Sequence, residues 1–196
     1  DGSIVSVTLT EVDEDKLKEK IKLNTNHYMG KISRVFMQEE GPHHDALLEA
    51  FKLGMPQGFS EESLKQAKLM PTSVREKEKL HRKDFTGINV FAIDGADTKD
   101  RDDAVSLEIL PNGNYELKVH IADVAHYVKE GTPIDVDAFR KGTSYYYAGL
   151  VNPQLPVELS NGICSLNENV IRLTKTIIIE YDKDGNVVRR ELVPSY

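Results

Sequence analysis

Val105-Ser106-Leu107-Glu108-Ile109, Leu110-Pro111-Asn112-Gly113-Asn114 and Tyr115-Glu116-Leu117-Lys118-Val119-His120-Ile121 form the stretch that decides the fold. Both flanks alternate apolar and polar residues with the period of two that strands require. Asn112-Gly113 between them supplies the positive-φ positions of a tight hairpin turn. A second hairpin follows by the same logic, joining Leu173–Tyr181 to Asn186–Val193 through Asp182-Lys183-Asp184-Gly185. The two hairpins predict one antiparallel sheet.

Between the hairpins, Thr132-Pro133 reads as a helix N-cap followed by a first-turn proline. Asp135 and Asp137 lie near the positive end of the helix dipole, and Gly142 stands where a C-terminal cap belongs, which predicts a helix over Pro133–Lys141. Upstream, from Asp45, Leu47, Leu48, Phe51 and Leu53 recur at helical spacing, and Ser60 opens a second helix ahead of Glu61 and Glu62. Ser73–His81 is so charged that a loosely packed helix or linker is expected. Residues 41–83 are thus expected to form a helical connector. Further out, Ile4–Leu9 and Lys31–Met37 read as two strands of a small barrel, and Asp13–Lys22, with four acids and four lysines, reads as a solvated loop or short helix.

Composition sets limits. Twenty-five Lys and Arg against 32 Asp and Glu leave a net charge of −7, which argues against nucleic-acid binding by a broad basic surface but leaves room for an acidic metal site. The longest apolar run, Thr176-Ile177-Ile178-Ile179, is too short to cross a bilayer, so no membrane partner is expected. One cysteine, Cys164, allows neither an internal disulfide nor a multi-thiolate zinc site, and a reducing, cytoplasmic location is expected. The chain also reads as a piece of a longer protein.

The chemistry concentrates in Asp94-Gly95-Ala96-Asp97-Thr98-Lys99-Asp100-Arg101-Asp102-Asp103, where five carboxylates occupy ten positions. Such acids repel one another unless a cation sits among them. All-oxygen ligands without histidine or thiolate favour Mg²⁺ or Mn²⁺, with Ca²⁺ a further option, over zinc. A calcium loop started at Asp94, Asp97 or Asp100 puts Lys99, Asp102 or Val105 where its glycine belongs, so that motif fails. Val90-Phe91-Ala92-Ile93 is expected to be a buried strand delivering Asp94, and Ala104–Leu107 the strand leaving the acids. On residue types alone, the segment reads equally as a divalent-metal site for phosphodiester hydrolysis or as an acidic surface loop screened by water.

Ala92–Val105 resembles the metal-binding signature of the ribonuclease R and ribonuclease II (RNB) family of exoribonucleases. The likeness continues in order through Val119-His120-Ile121-Ala122-Asp123-Val124, Lys141-Gly142-Thr143-Ser144 with Tyr146, and Leu159-Ser160-Asn161-Gly162-Ile163-Cys164-Ser165-Leu166-Asn167. It implies an α+β fold with the antiparallel-rich mixed sheet of the RNB catalytic domain. Residues 1–40 would end an OB barrel of cold-shock type, 41–83 form the connector, and 84–196 form the N-terminal half of the catalytic domain. It further implies that Asp94, Asp100 and Asp103 hold Mg²⁺, with Mn²⁺ as a substitute. Asp102 would be indispensable for cleavage, and Tyr146 would stack near the 3′-terminal nucleotide and set the length of the end product.

The implied activity is 3′-to-5′ hydrolysis of single-stranded RNA from a free 3′ end to 5′-nucleotides. No DNA substrate and no obligate protein partner are expected. A piece of this extent would lack the family's arginine-rich second half and is expected not to cleave alone. Arg101, where the family is apolar, Thr86, in place of an arginine, and Val151-Asn152-Pro153-Gln154 depart from the pattern. Arg101 either neutralises the acids or points away, and it sustains the alternative of a retired RNA-binding module of the same fold; a third reading is an acidic Ca²⁺-binding β-domain. Asp97 reads as turn-forming, His120 as a satisfied core histidine, His43-His44 as a solvated turn, and Cys164 as chemically idle. Ser160 and Asn161 are expected to pin the turn after Tyr146.

Overall fold

The computed structural model describes residues 4–9, 30–36, 42–147 and 150–196; the Asp13–Lys22 run and Tyr28 lie outside them. The chain divides into two compact units, residues 1–55 with 147–150, and residues 56–146 with 151–196. In the first, β1 (Ile4–Leu9) pairs antiparallel with β2 (Gly30–Phe36), with an irregularity between Ser6 and Val7. Helix α1 (Pro42–Lys52) follows and takes His43 and His44 into its first turn, where the sequence suggested a solvated turn outside any helix.

The second unit carries helices α2 (Glu61–Ala67), α3 (Glu76–Lys79), α4 (Val124–Tyr127) and α5 (Pro133–Lys141). Its sheet consists of β3 (Asp103–Ile109), β4 (Tyr115–Ala122), β7 (Thr174–Tyr181) and β8 (Val187–Ser195), in the order β3-β4-β7-β8 with every pair antiparallel. A small two-stranded piece, β5 (Tyr145–Tyr147) with β6 (Leu150–Asn152), lies between α5 and β7 in the chain.

Both predicted hairpins form. In each, only the glycine takes a positive φ, +82° at Gly113 and +84° at Gly185, and its N–H reaches back to the carbonyl of Leu110 or Asp182. These are three-residue loops ending in a left-handed glycine, so Asn112 is not called on to adopt positive φ. Instead its Oδ1 accepts the Asn114 N–H, and Asp182 Oδ1 likewise accepts the N–H groups of Asp184 and Asn186.

Helix α5 starts and stops where its proline and glycine predict, with Gly142 at φ +74°. Asp137 serves a different helix: its Oδ2 accepts hydrogen bonds from the Ser60 N–H at 2.7 Å, Ser60 Oγ at 2.8 Å and Ser63 Oγ at 2.7 Å, tying α5 to the start of α2. Burial pushes that carboxyl up, but these hydrogen bonds outweigh it and hold its pKa below the usual value.

Residues 73–81 hold a short helix, as one reading expected, but it is docked more firmly than a loosely packed segment would be. Glu78 is half-buried and bonded to His126 Nε2 at 3.0 Å, and half-buried Arg82, just beyond the run, pairs with buried Asp123 at 2.7 Å. Charged side chains that suggested a loosely packed segment thus meet partners more than 40 residues downstream.

The core of this unit gathers Ala67, Ala122, Tyr127, Ile134, Leu159, Ile163, Cys164 and Leu173. It lies beside the sheet face formed by Ala104, Ser106, His120, Thr174, Thr176, Ile178 and Ser195, all buried. Residues 83–91 cross that face: Lys83 pairs with Ser195 at one edge, Phe91 with Val105 at the other, and Phe85 packs edge-on against His120 between them. The opposite face presents Leu107, Ile109, Ile121, Ile177 and Leu192, all exposed.

Candidate functional site

Two backbone hydrogen bonds of 2.8 Å between Phe91 and Val105 lead the chain into the acidic segment. This corrects the expected buried strand over Val90–Ile93: it is a single bridge at the sheet edge, with Phe91 60% and Ile93 86% exposed. A segment paired on one side for one residue, with no layer over it, has nothing to bury its side chains against. Beyond it, the Thr98 N–H closes a turn on the Gly95 carbonyl at 3.0 Å, with Asp97 inside the turn as its residue type suggested.

The segment then rejoins the sheet. The Asp102 carbonyl accepts the Ala122 N–H at 2.9 Å, and Asp103 begins β3 opposite Ile121. What holds the middle is Ser165, whose hydroxyl donates to the Lys99 carbonyl at 2.7 Å and accepts the Arg101 N–H at 3.2 Å. The Leu166 N–H adds a bond to the Arg101 carbonyl at 2.7 Å. Arg101 turns its guanidinium to Asn167 Oδ1 at 3.1 Å and makes no ion pair with the aspartates among the described residues. Ser165 and Asn167 fall within the quoted resemblance, but their service to the acidic turn is invisible in sequence because the bonds run largely to backbone atoms more than 60 residues away. Asn161 lies with Ala96–Lys99, Arg101 and Asn167 around an open cleft beside this turn; the turn after Tyr146 that it and Ser160 were expected to pin lies partly outside the described residues.

Tyr146 stands over the segment from β5. The residue is 64% exposed, and its hydroxyl donates to Asp100 Oδ2 at 2.5 Å, which raises the phenol's pKa. The structure thus brings Tyr146 and Asp100 together across 46 positions of sequence. The carboxylates of Asp94, Asp102 and Asp103 have no hydrogen-bond or ion-pair partner among the described residues. Nor, among those residues, do three His, Cys, Asp or Glu side chains converge closely enough to hold a metal ion. The donors nevertheless suit one: exposed, uncommitted aspartates on one short segment are hard oxygen ligands of the kind Mg²⁺ or Mn²⁺ selects. Without a cation between them, their like charges favour separation.

The other candidates drop away. His120 is buried, with Nδ1 on Thr176 Oγ1 at 2.8 Å and Nε2 on Ser106 Oγ at 3.1 Å, the satisfied core histidine expected. Burial pushes the Cys164 thiol up to about 12, which leaves it no thiolate for nucleophilic work.

Comparison with known proteins gives a consistent picture. Residues 82–196 match the RNB domain model. Ribonuclease R of Thermotoga maritima is 47% identical over 167 residues, covering 84% of this chain and 24% of the relative. Ribonuclease R 1 of Lactococcus lactis is 39% identical over 193 residues, covering 98% of this chain and 23% of the relative. The chain therefore spans about a quarter of the length of these relatives. Among solved structures, Mycoplasma genitalium RNase R in complex with double-stranded RNA aligns with a TM-score of 0.83 at 27% identity, covering 98% of this chain and 33% of that one. Yeast Ssd1, a pseudonuclease, aligns at 0.68 and 17% identity over 96% of this chain and 23% of that one, a likeness of fold alone.

Proposed function

Because the chain belongs to the RNB family, we propose that it carries the metal-holding part of a 3′-to-5′ exoribonuclease that hydrolyses single-stranded RNA from a free 3′ end to 5′-nucleotides. The observation that carries this reading is the contact between Tyr146 and Asp100, which joins the aromatic side chain assigned to RNA with the acids assigned to metal inside the RNB match. Asp94, Asp100, Asp102 and Asp103 would hold Mg²⁺ or Mn²⁺. Such an ion, when bound, activates water and stabilises charge on the phosphodiester oxygens. The chain's own contribution is positional: Ser165 and the Ala122 N–H set the backbone of the acidic segment, and the Tyr146 ring offers a face on which any base can stack.

RNA as the partner is supported by the similarity to Mycoplasma genitalium RNase R, solved with double-stranded and with ribose methylated single-stranded RNA. We assign residues 1–40 to the end of an OB-type barrel, 41–83 to a helical connector and 84–196 to the first half of the catalytic domain. The β1–β2 pair and helices α1 to α3 support that division. No helix of the described residues is long and apolar enough to cross a membrane, and the single cysteine suits the cytoplasm. The alternative of a retired RNA-binding module rests on Arg101, and the turn of its guanidinium toward Asn167 favours the active reading.

The test is degradation of 5′-labelled single-stranded RNA by the native-length protein with Mg²⁺, beside its Asp102→Asn form. A descending ladder ending in a short oligomer is expected, lost in the variant without loss of folding because that carboxylate has no protein partner. RNA left intact by the unmodified protein but still bound would overturn the reading in favour of the retired module.

A further inference from the structure

The hydroxyl of Tyr146 and its ring face different tasks. The ring is open to solvent, whereas the hydroxyl is committed to Asp100 Oδ2 at 2.5 Å. Asp100 is the only one of the four assigned aspartates whose carboxylate has a protein partner among the described residues, and Ser165 fixes the backbone on both sides of it through Lys99 and Arg101.

The strand that presents Tyr146 is itself anchored. Tyr145 Oη donates to the Lys141 carbonyl at 3.1 Å, and Ser144 Oγ accepts the Gln154 N–H at 2.9 Å. The Lys141 ammonium, buried over the Phe59 ring at 4.7 Å, donates to Asn152 Oδ1 at 2.5 Å. A donor on such a support can impose an orientation on the carboxylate it touches.

We propose that the Tyr146 hydroxyl is a positioning group for Asp100, holding Oδ2 so that Oδ1 is presented to a divalent cation. Hydrogen bonds to the outer atoms of a metal-ligating group orient it and are commonly worth 10-fold to 100-fold in metal affinity. The same side chain would then serve RNA through its ring and metal through its hydroxyl, so that occupancy by the 3′ nucleotide and by the cation are coupled reciprocally. The inference rests on reading Asp94, Asp100, Asp102 and Asp103 as the metal site.

The experiment measures Mn²⁺ binding to the native-length protein from the free-ion electron paramagnetic resonance signal, alongside the length of the final RNA product. Tyr146→Phe keeps the ring and removes the donor. It should weaken Mn²⁺ binding by about 10-fold or more and leave product length unchanged. Tyr146→Ala should weaken Mn²⁺ equally and change product length as well. Tyr145→Phe removes a hydroxyl from the same strand and should alter neither reading. Unchanged Mn²⁺ affinity in Tyr146→Phe, an equal loss in Tyr145→Phe, or no Mn²⁺ uptake by the unmodified protein would each overturn the proposal. A protein that degrades no RNA but shows the Mn²⁺ shift upholds the positioning role and removes only the nuclease reading.

Discussion

Ile177 and Ile178 are neighbours on β7, yet one is 40% exposed and the other 1%. The difference belongs to the whole sheet. Its apolar face, with Leu107, Ile109, Ile177 and Leu192, is open, while its polar face is buried. On that buried face hydroxyls and an imidazole form a chain, Ser106 to His120 to Thr176 to Ser195 to Thr174, with links of 2.6 to 3.1 Å. Burial of polar groups costs little when each finds a partner, and much when one is removed. Interior position in this sheet follows from hydrogen-bond completion and from the cover that residues 83–91 supply, with side-chain hydrophobicity deciding less.

The sharpest way to break the comparison lies where the buried face ends. Arg82 donates to the Thr174 and Ser195 carbonyls and pairs with buried Asp123. Arg82→Met strands that carboxylate and should cost about 3–5 kcal/mol in urea unfolding. The lower end is expected, because Lys175 remains 3.9 Å from Asp123. A loss below 1 kcal/mol, on the order of a surface pair, would mean that the junction is not closed to water.

Next comes the isoleucine pair itself. Ile178→Ala should lose about 2–5 kcal/mol by leaving a cavity, and Ile177→Ala about 1 kcal/mol or less, as exposed positions do. Equal losses measured by thermal unfolding would show that both faces are covered in solution.

The smallest expected effect concerns pH. Burial, helped by the Lys118 charge, holds His120 below the ordinary histidine value of 6.5. As pH falls through 6.5 the unfolded chain takes up a proton that the folded chain resists, so stability falls, levelling off once pH passes below the folded value. The urea midpoint should therefore drop between neutral pH and the depressed value, and His120→Asn should flatten that part of the profile. A profile unchanged by the substitution would remove His120 as its source.

Much of the site was legible because its signals are local. Five carboxylates within ten residues mark the segment whatever the fold, as a cation site or as an acidic loop screened by water, and the left-handed glycines of both hairpins announce themselves by residue type. The supports of the acids were not legible. Ser165 meets Lys99 and Arg101, and Tyr146 meets Asp100, only because separate elements converge. The charged run at 73–81 misled for a related reason: composition records how many charges a segment has, while docking depends on where a partner such as His126 arrives.

By itself the sequence determined the two hairpins with their flanking strands, the limits of the helix over Pro133–Lys141 and the acidic segment, since each depends on residues within a few positions of one another. Only the tertiary structure decided which face of the sheet turns inward. A period of two identifies a strand without saying which of its sides will be covered, and that choice was made by residues 83–91 crossing over Ser106, His120 and Thr176.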